Sequence, residues 1–122
     1  MLLRAPDWHA RLSAYLMAHR DQPFVWGERD CSLFFADAVV AMGGPDLAEG
    51  LRGYSSALSA ERILRANGGL VAIVDARLPR RADPRDLQTG DCGLVVVDGR
   101  EFLAVVYNQW AISPGPERAA MN

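Results

Sequence analysis

Cys31 is the residue of this 122-residue chain whose type and setting best suit nucleophilic chemistry. It stands in the run Phe24-Val-Trp-Gly-Glu-Arg-Asp-Cys-Ser32, where Gly27 lets the chain turn and Asp30 takes the N-cap position of a helix that begins at Cys31. A cysteine in the first helical turn lies against the partial positive charge of unsatisfied backbone N–H groups, which favours the nucleophilic thiolate. The competing reading is a small inert hydrophobe on an apolar helix face, the usual condition of a buried cysteine. A cysteine hydrolase also needs a base to take the thiol proton and an acid to protonate the leaving group. The only histidines, His9 and His19, precede Cys31, and none follows it. His19 shares a helical apolar face with Leu12 and Tyr15, which suits packing; it could serve Cys31 only if that helix folded over the cleft.

Three further residues are candidates for the same site. Trp26, just before Gly27, suits the aromatic wall of a binding groove or, alternatively, a core plug. Asp91 closes Leu87-Gln-Thr-Gly-Asp91, where a carboxylate can act chemically or bond nearby backbone amides in the turn. Cys92 heads an apolar strand and reads as buried filler, with a Cys31–Cys92 disulfide ill suited to a reducing compartment. The Cys and His spacing fits no zinc pattern, and neither a metal nor a cofactor is expected.

Periodicity gives the elements that must hold these residues. Trp8, Leu12, Tyr15, Leu16 and His19 form one helical face, with Asp7 as its cap. Residues 21–27 break that pattern with Pro23 and Gly27 and read as a loop. Phe34, Phe35, Ala38, Val39 and Met42 mark the stripe of the Cys31 helix, which Gly43-Gly44-Pro45 ends. A third helix is expected from Ser59 as cap through Ile63 and Leu64 to Gly68-Gly69. Residues 70–76 are ambiguous between helix and strand, and 79–84 form an arginine-rich connection. The period then changes to two: Cys92–Val97, the turn Asp98-Gly99 and Phe102–Tyr107 predict a β-hairpin, with Trp110–Ile112 as a third strand. Together these define a single α+β domain over 1–122. Its helical part covers about 7–78, its β part about 87–113, and a loose tail 114–122. The hairpin is apolar on both faces, which calls for cover by helices or by another subunit.

Composition narrows the partners. A formal net charge of -2, with acidic residues interleaved among the arginines, argues against a nucleic-acid interface. No stretch suits a secretory signal or a membrane span, so synthesis in the cytoplasm is expected, with any later location set by an assembly.

Asp30-Cys31-Ser32 opening a helix, followed by Leu87-Gln-Thr-Gly-Asp91 opening a strand, resembles the NlpC-type cysteine endopeptidases of bacterial cell walls. The resemblance runs over about 23–112 and implies a papain-like α+β fold that cuts peptidoglycan stem peptides with a Cys-His-polar triad. In that family the histidine begins a strand reading roughly His-Val-Gly-Ile-Tyr. The matching strand here is Leu103-Ala-Val-Val-Tyr107, so Tyr107 fits the tyrosine and Leu103 stands in the histidine slot. The third position would fall near 110–113, with Asn108 and Gln109 as rough substitutes. The Pro-Phe-Val-Trp-Gly run beside Asp-Cys is closer still to a divergent branch found in tail modules of siphophages and gene transfer agents. That branch implies a structural component of the virion tail tip, and Leu103 in the histidine slot implies one without peptidase activity. Its partners would be tail-tip hub or other tail proteins, and peptidoglycan. The alternatives are a working peptidoglycan endopeptidase that uses Cys31 with a relocated base, and a stand-alone cytoplasmic papain-like protein.

Overall fold

The computed structural model describes residues 4–19, 21–78, 83–114 and 120–121. Four helices come first: α1 (Trp8–His19), α2 (Cys31–Ala41), α3 (Ala57–Ala66) and α4 (Leu70–Arg77). A short 3-10 turn, Pro84–Asp86, leads to the strands β1 (Cys92–Val97), β2 (Arg100–Tyr107) and β3 (Trp110–Ile112), with the two-residue β4 (Ala120–Met121) beside β3. The sheet is antiparallel in the order β1-β2-β3-β4. The architecture is therefore α+β, helices before sheet.

The central element is α2. It is apolar almost all round, and such a helix must be buried. Phe34, Phe35, Ala38, Val39 and Met42 meet Leu12 and Leu16 of α1 and Leu103 and Val105 of β2 in one core cluster. The helix ends where Gly43 takes φ +96°, and Gly43 and Gly44 donate to the carbonyls of Val40 and Val39. A side chain at Gly43 would collide with Ala5, whose N–H donates to Met42 O at 2.8 Å, so the N-terminal segment runs across this helix end. Farther along the chain Arg4 donates to Gly90 O at 3.2 Å, and Ser13 Oγ lies 2.7 Å from Tyr107 Oη, tying α1 to the far end of β2.

Some local expectations are corrected, and the reading left open at 70–76 is decided. The Asp7 carboxylate accepts from Arg11 Nε at 2.8 Å, because a long side chain four residues on competes for it on an exposed helix face. The cap of α3 is Ser56. Ser59 sits at N3 and bonds back, a reciprocal box that satisfies both ends. Residues 70–77 are helical: Leu70, Val74 and Leu78, four apart, pack on the core cluster, and that packing overrides the β-branched composition. Residues 120–121 of the expected loose tail pair with β3, while 115–119 and 122 lie outside the described residues.

The hairpin forms as its turn chemistry demands. Asp98 and Gly99 have φ +52° and +76°, both positive as a two-residue primed turn requires, and the strand resumes at Arg100 opposite Val97. The helices cover β2 but leave much of β1 bare. Leu94 and Val96 are 48% and 60% exposed, and β1 is an edge strand among the described residues. No helix among the described residues is long and apolar enough to cross a membrane.

Candidate functional site

Asp30 organises the site. Its carboxylate, 1% exposed, accepts from Leu33 N at 3.0 Å as the cap of α2, from Gly27 N at 3.0 Å and from Tyr54 Oη at 2.5 Å. A buried carboxylate is tolerated because three donors replace its water. Gly27 has no substitute here: at φ +81° a Cβ would stand 1.9 Å from Tyr54 O. Tyr54 is brought in by the loop after α2, which Arg52 pins through Asp37 (2.8 Å) and Asp46 (2.9 Å). Burial, and then the bond to Asp30, push the Tyr54 hydroxyl well above its ordinary pKa, so it stays a proton donor to that carboxylate.

Cys31 opens α2 as expected, but its thiol is pushed upward, opposite to the effect of the helix terminus. Burial is the main cause, and the neighbouring Asp30 charge adds to it. Bonds to the sulfur from the Leu103 backbone and from Ser32 pull it only partway back. The helix N-terminus cannot prevail here because desolvation penalises the thiolate and a carboxylate already occupies the cap. Cys31 is therefore a protonated thiol at neutral pH. Cys92 lies near enough to feel its charge. Its own thiol is pushed up to about 12, by burial first, then by Asp91 and Cys31. Both cysteines are free, and Cys92 packs against the core as a filler would.

Leu103, 5% exposed, is the β2 residue that meets the Cys31 sulfur. It does so through its backbone, and both residues line one largely apolar space. The two histidines point elsewhere. His9 is exposed, its ring 5.8 Å from that of Tyr107. His19 stacks on Tyr15 at 4.3 Å with Nδ1 2.9 Å from Tyr15 O, at the edge of a separate polar pocket with Glu28, Arg29 and Asp37. Asp91 is not brought to Cys31: its carboxylate accepts from Gln88 N at 2.8 Å, holding the turn into β1. Asn108 is a turn residue with φ +55°, donating from its backbone to Thr89 Oγ1 at 2.8 Å.

Cys31 lines a partly open cavity of about 170 Å³ between α2, α3, α4 and β2. Its wall includes Ile63, Leu64, Ile73 and Leu103, and also Trp26, which is 38% exposed and edge-on to Phe24. Trp26 is thus a wall residue rather than a core plug. Neither histidine lines this space. Sequence reasoning missed Tyr54 and the inward faces of α3 and α4. The one available signal was the stripe Ala60, Ile63, Leu64, which has no bulky counterpart to fill against. Among the described residues no group of His, Cys, Asp and Glu could hold a metal ion.

Fold and site together define an α+β domain with a half-buried, carboxylate-capped cysteine facing a largely apolar cavity. Residues 3–121 match the domain of unknown function DUF6950, and the chain belongs to that family. No curated protein and no solved structure matches it.

Proposed function

We propose that this chain is an NlpC-like, papain-related domain that serves as a structural component of a phage or gene-transfer-agent tail tip, bound to hub or other tail proteins and without peptidase activity. The observation that carries the loss of activity is that neither His9 nor His19 lines the space that Cys31 faces. The desolvated sulfur has no imidazole in its cavity, and the neighbouring Asp30 carboxylate is taken up by three donors, whereas cleaving an amide needs a group that both takes and returns a proton. The tail assignment rests on the resemblance of residues 23–31. A scaffold with an intact Asp30 cap but no base is what remains when shape is retained and chemistry is not. The bare apolar edge of β1 suits a domain that works inside an assembly.

The test has two arms. Purified protein incubated with peptidoglycan sacculi and with a stem-peptide substrate is expected to release no new amino termini. Release that Cys31→Ala abolishes would establish the endopeptidase instead. Antibody against the chain is expected to label the tail tip of assembled particles, and its absence from tails would sink the structural assignment.

A further inference from the structure

The strongly polar groups inside the cavity are already engaged with the protein itself. The Asp30 carboxylate takes three donors, and Tyr54 gives its proton to Asp30. The Arg77 guanidinium donates to the carbonyls of Leu47 (2.8 Å) and Glu49 (2.9 Å). Glu101 stands at the solvent end of β2 and is exposed. Beside these groups the lining is hydrocarbon, the Cys31 thiol and the Ser32 hydroxyl. Away from the exposed Glu101 at its mouth, such a wall offers a charged or strongly polar ligand little to pair with. Close-packed interiors seldom keep voids much larger than a water, and an apolar cavity of about 150 Å³ stays dry and binds benzene. At about 170 Å³ this one has the same capacity.

We propose that the cavity is a binding site for an uncharged apolar group of benzene to indole size. The group can come on a free small molecule or on a side chain of a partner segment. The second source has a visible track: Leu94 and Val96 pair in register with Leu103 and Glu101, so exposed apolar side chains lie one strand over from the cavity wall, on the free edge of the sheet. The site does not depend on the tail assignment, because it rests on the engaged polar groups and the cavity's size rather than on the missing base.

The test is an amide-resolved NMR titration of the full chain with indole, and with benzoate as the charged control. Indole is expected to give saturable shifts at Ile63, Leu64, Ile73 and Leu103 and to slow alkylation of Cys31 several-fold, while benzoate does neither. Ile73→Trp, which fills the space, should abolish the indole effect; Ala60→Leu serves if that variant does not fold. Absence of saturable shifts in the wild type, shifts elsewhere, or equal binding to a filled variant would overturn the proposal. The source is read with the probe N-acetyl-Val-Trp-Val-amide. Binding about tenfold tighter than indole, lost on Leu94→Asp with Val96→Asp, assigns a partner side chain. No gain over indole assigns a small molecule. Loss of tail labelling with indole binding intact would refute the tail reading and leave this site standing.

Discussion

Replacing Asp30 by alanine removes one acceptor from three donors at once. Leu33 N–H, Gly27 N–H and Tyr54 O–H all point at this carboxylate, which is 1% exposed, so water cannot simply take its place. Loss of an N-cap costs about 0.5–2 kcal/mol. Hydrogen bonds to a charged acceptor contribute about 1.5–3 kcal/mol each, and losses within one network are not additive. A total near 4–6 kcal/mol follows, a large share of the roughly 6–18 kcal/mol that a domain this long commands at about 0.05–0.15 kcal/mol per residue. Asp30→Asn keeps the shape but presents an NH2 to one side. Tyr54 can turn its hydroxyl to accept from it, whereas Gly27 N–H cannot adapt, so about 2–3 kcal/mol is expected. Tyr54→Phe removes a single bond and should cost about 1–2 kcal/mol. Urea unfolding followed by tryptophan fluorescence reads all three, with Asp30→Asn/Tyr54→Phe completing a double-mutant cycle. If Asp30→Ala falls within about 1 kcal/mol of wild type, or Tyr54→Phe costs more than Asp30→Ala, the carboxylate is not the hub of this site.

Gly27→Ala should destabilise by about 3 kcal/mol or more and Gly50→Ala by only about 1, since both have positive φ but only Gly27 would meet a neighbouring backbone atom; equal losses in urea unfolding would deny the close approach. Leu103→His places an imidazole against the Cys31 sulfur and should raise its iodoacetamide reactivity at neutral pH about tenfold, at a cost of about 2–3 kcal/mol in stability. An unchanged rate in the folded variant would show that position 103 cannot serve a base. Wild-type Cys31 itself should alkylate more slowly at pH 7 than a free thiol, and a faster rate would contradict its upward shift. Alkali should weaken the fold. Cys92, Cys31, Tyr15 and Tyr54 all ionise later folded than unfolded, so their contribution is complete below about pH 8.5, where unfolded thiols titrate, and declines as pH rises toward the folded Cys92 value of about 12. Denaturation midpoints between those limits check this, a flat profile refuting it, and Cys92→Ala should flatten the slope.

Local signals were legible wherever one short segment decides the outcome. Asp30 at the cap, the stripe of α2 and the Asp98-Gly99 turn all rest on neighbours within a few residues, and the fold adopts them. Ser56 and Ser59 are equally plausible caps on composition, and only the reciprocal bonding of the folded turn separates them. The apolar run from Leu70 to Val74 is too short for its period to decide, and its helix is settled by what it packs on. Tyr54 reaches Asp30 across 24 positions, a pairing that no spacing rule contains. The direction of the Cys31 shift is a contest between a helix terminus and desolvation, and depth of burial, which a sequence does not state, decides it. The cavity is harder still, because a void is a property of side chains that fail to meet. No pattern in the residues themselves brings the Leu103 backbone to the Cys31 sulfur; only the folded sheet does.

The tie between Arg4 and Gly90 spans 86 positions and that between Ser13 and Tyr107 spans 94, which bears on how the molecule can be made. The face of α2 that carries Phe34, Phe35 and Val39 is completed by β2, near the end of the chain. On the ribosome the helical half therefore emerges with its most apolar helix unsheltered, and it waits until residues beyond 105 are clear of the exit. Contacts this distant close slowly, since loop entropy is lost before any packing is gained. A fragment that stops at α4 keeps the small cluster of Leu33, Ala36 and Ala48 but loses the β2 side of the main core. The domain is assembled late and all together, and its yield in a cell depends on what shields α2 in the interval.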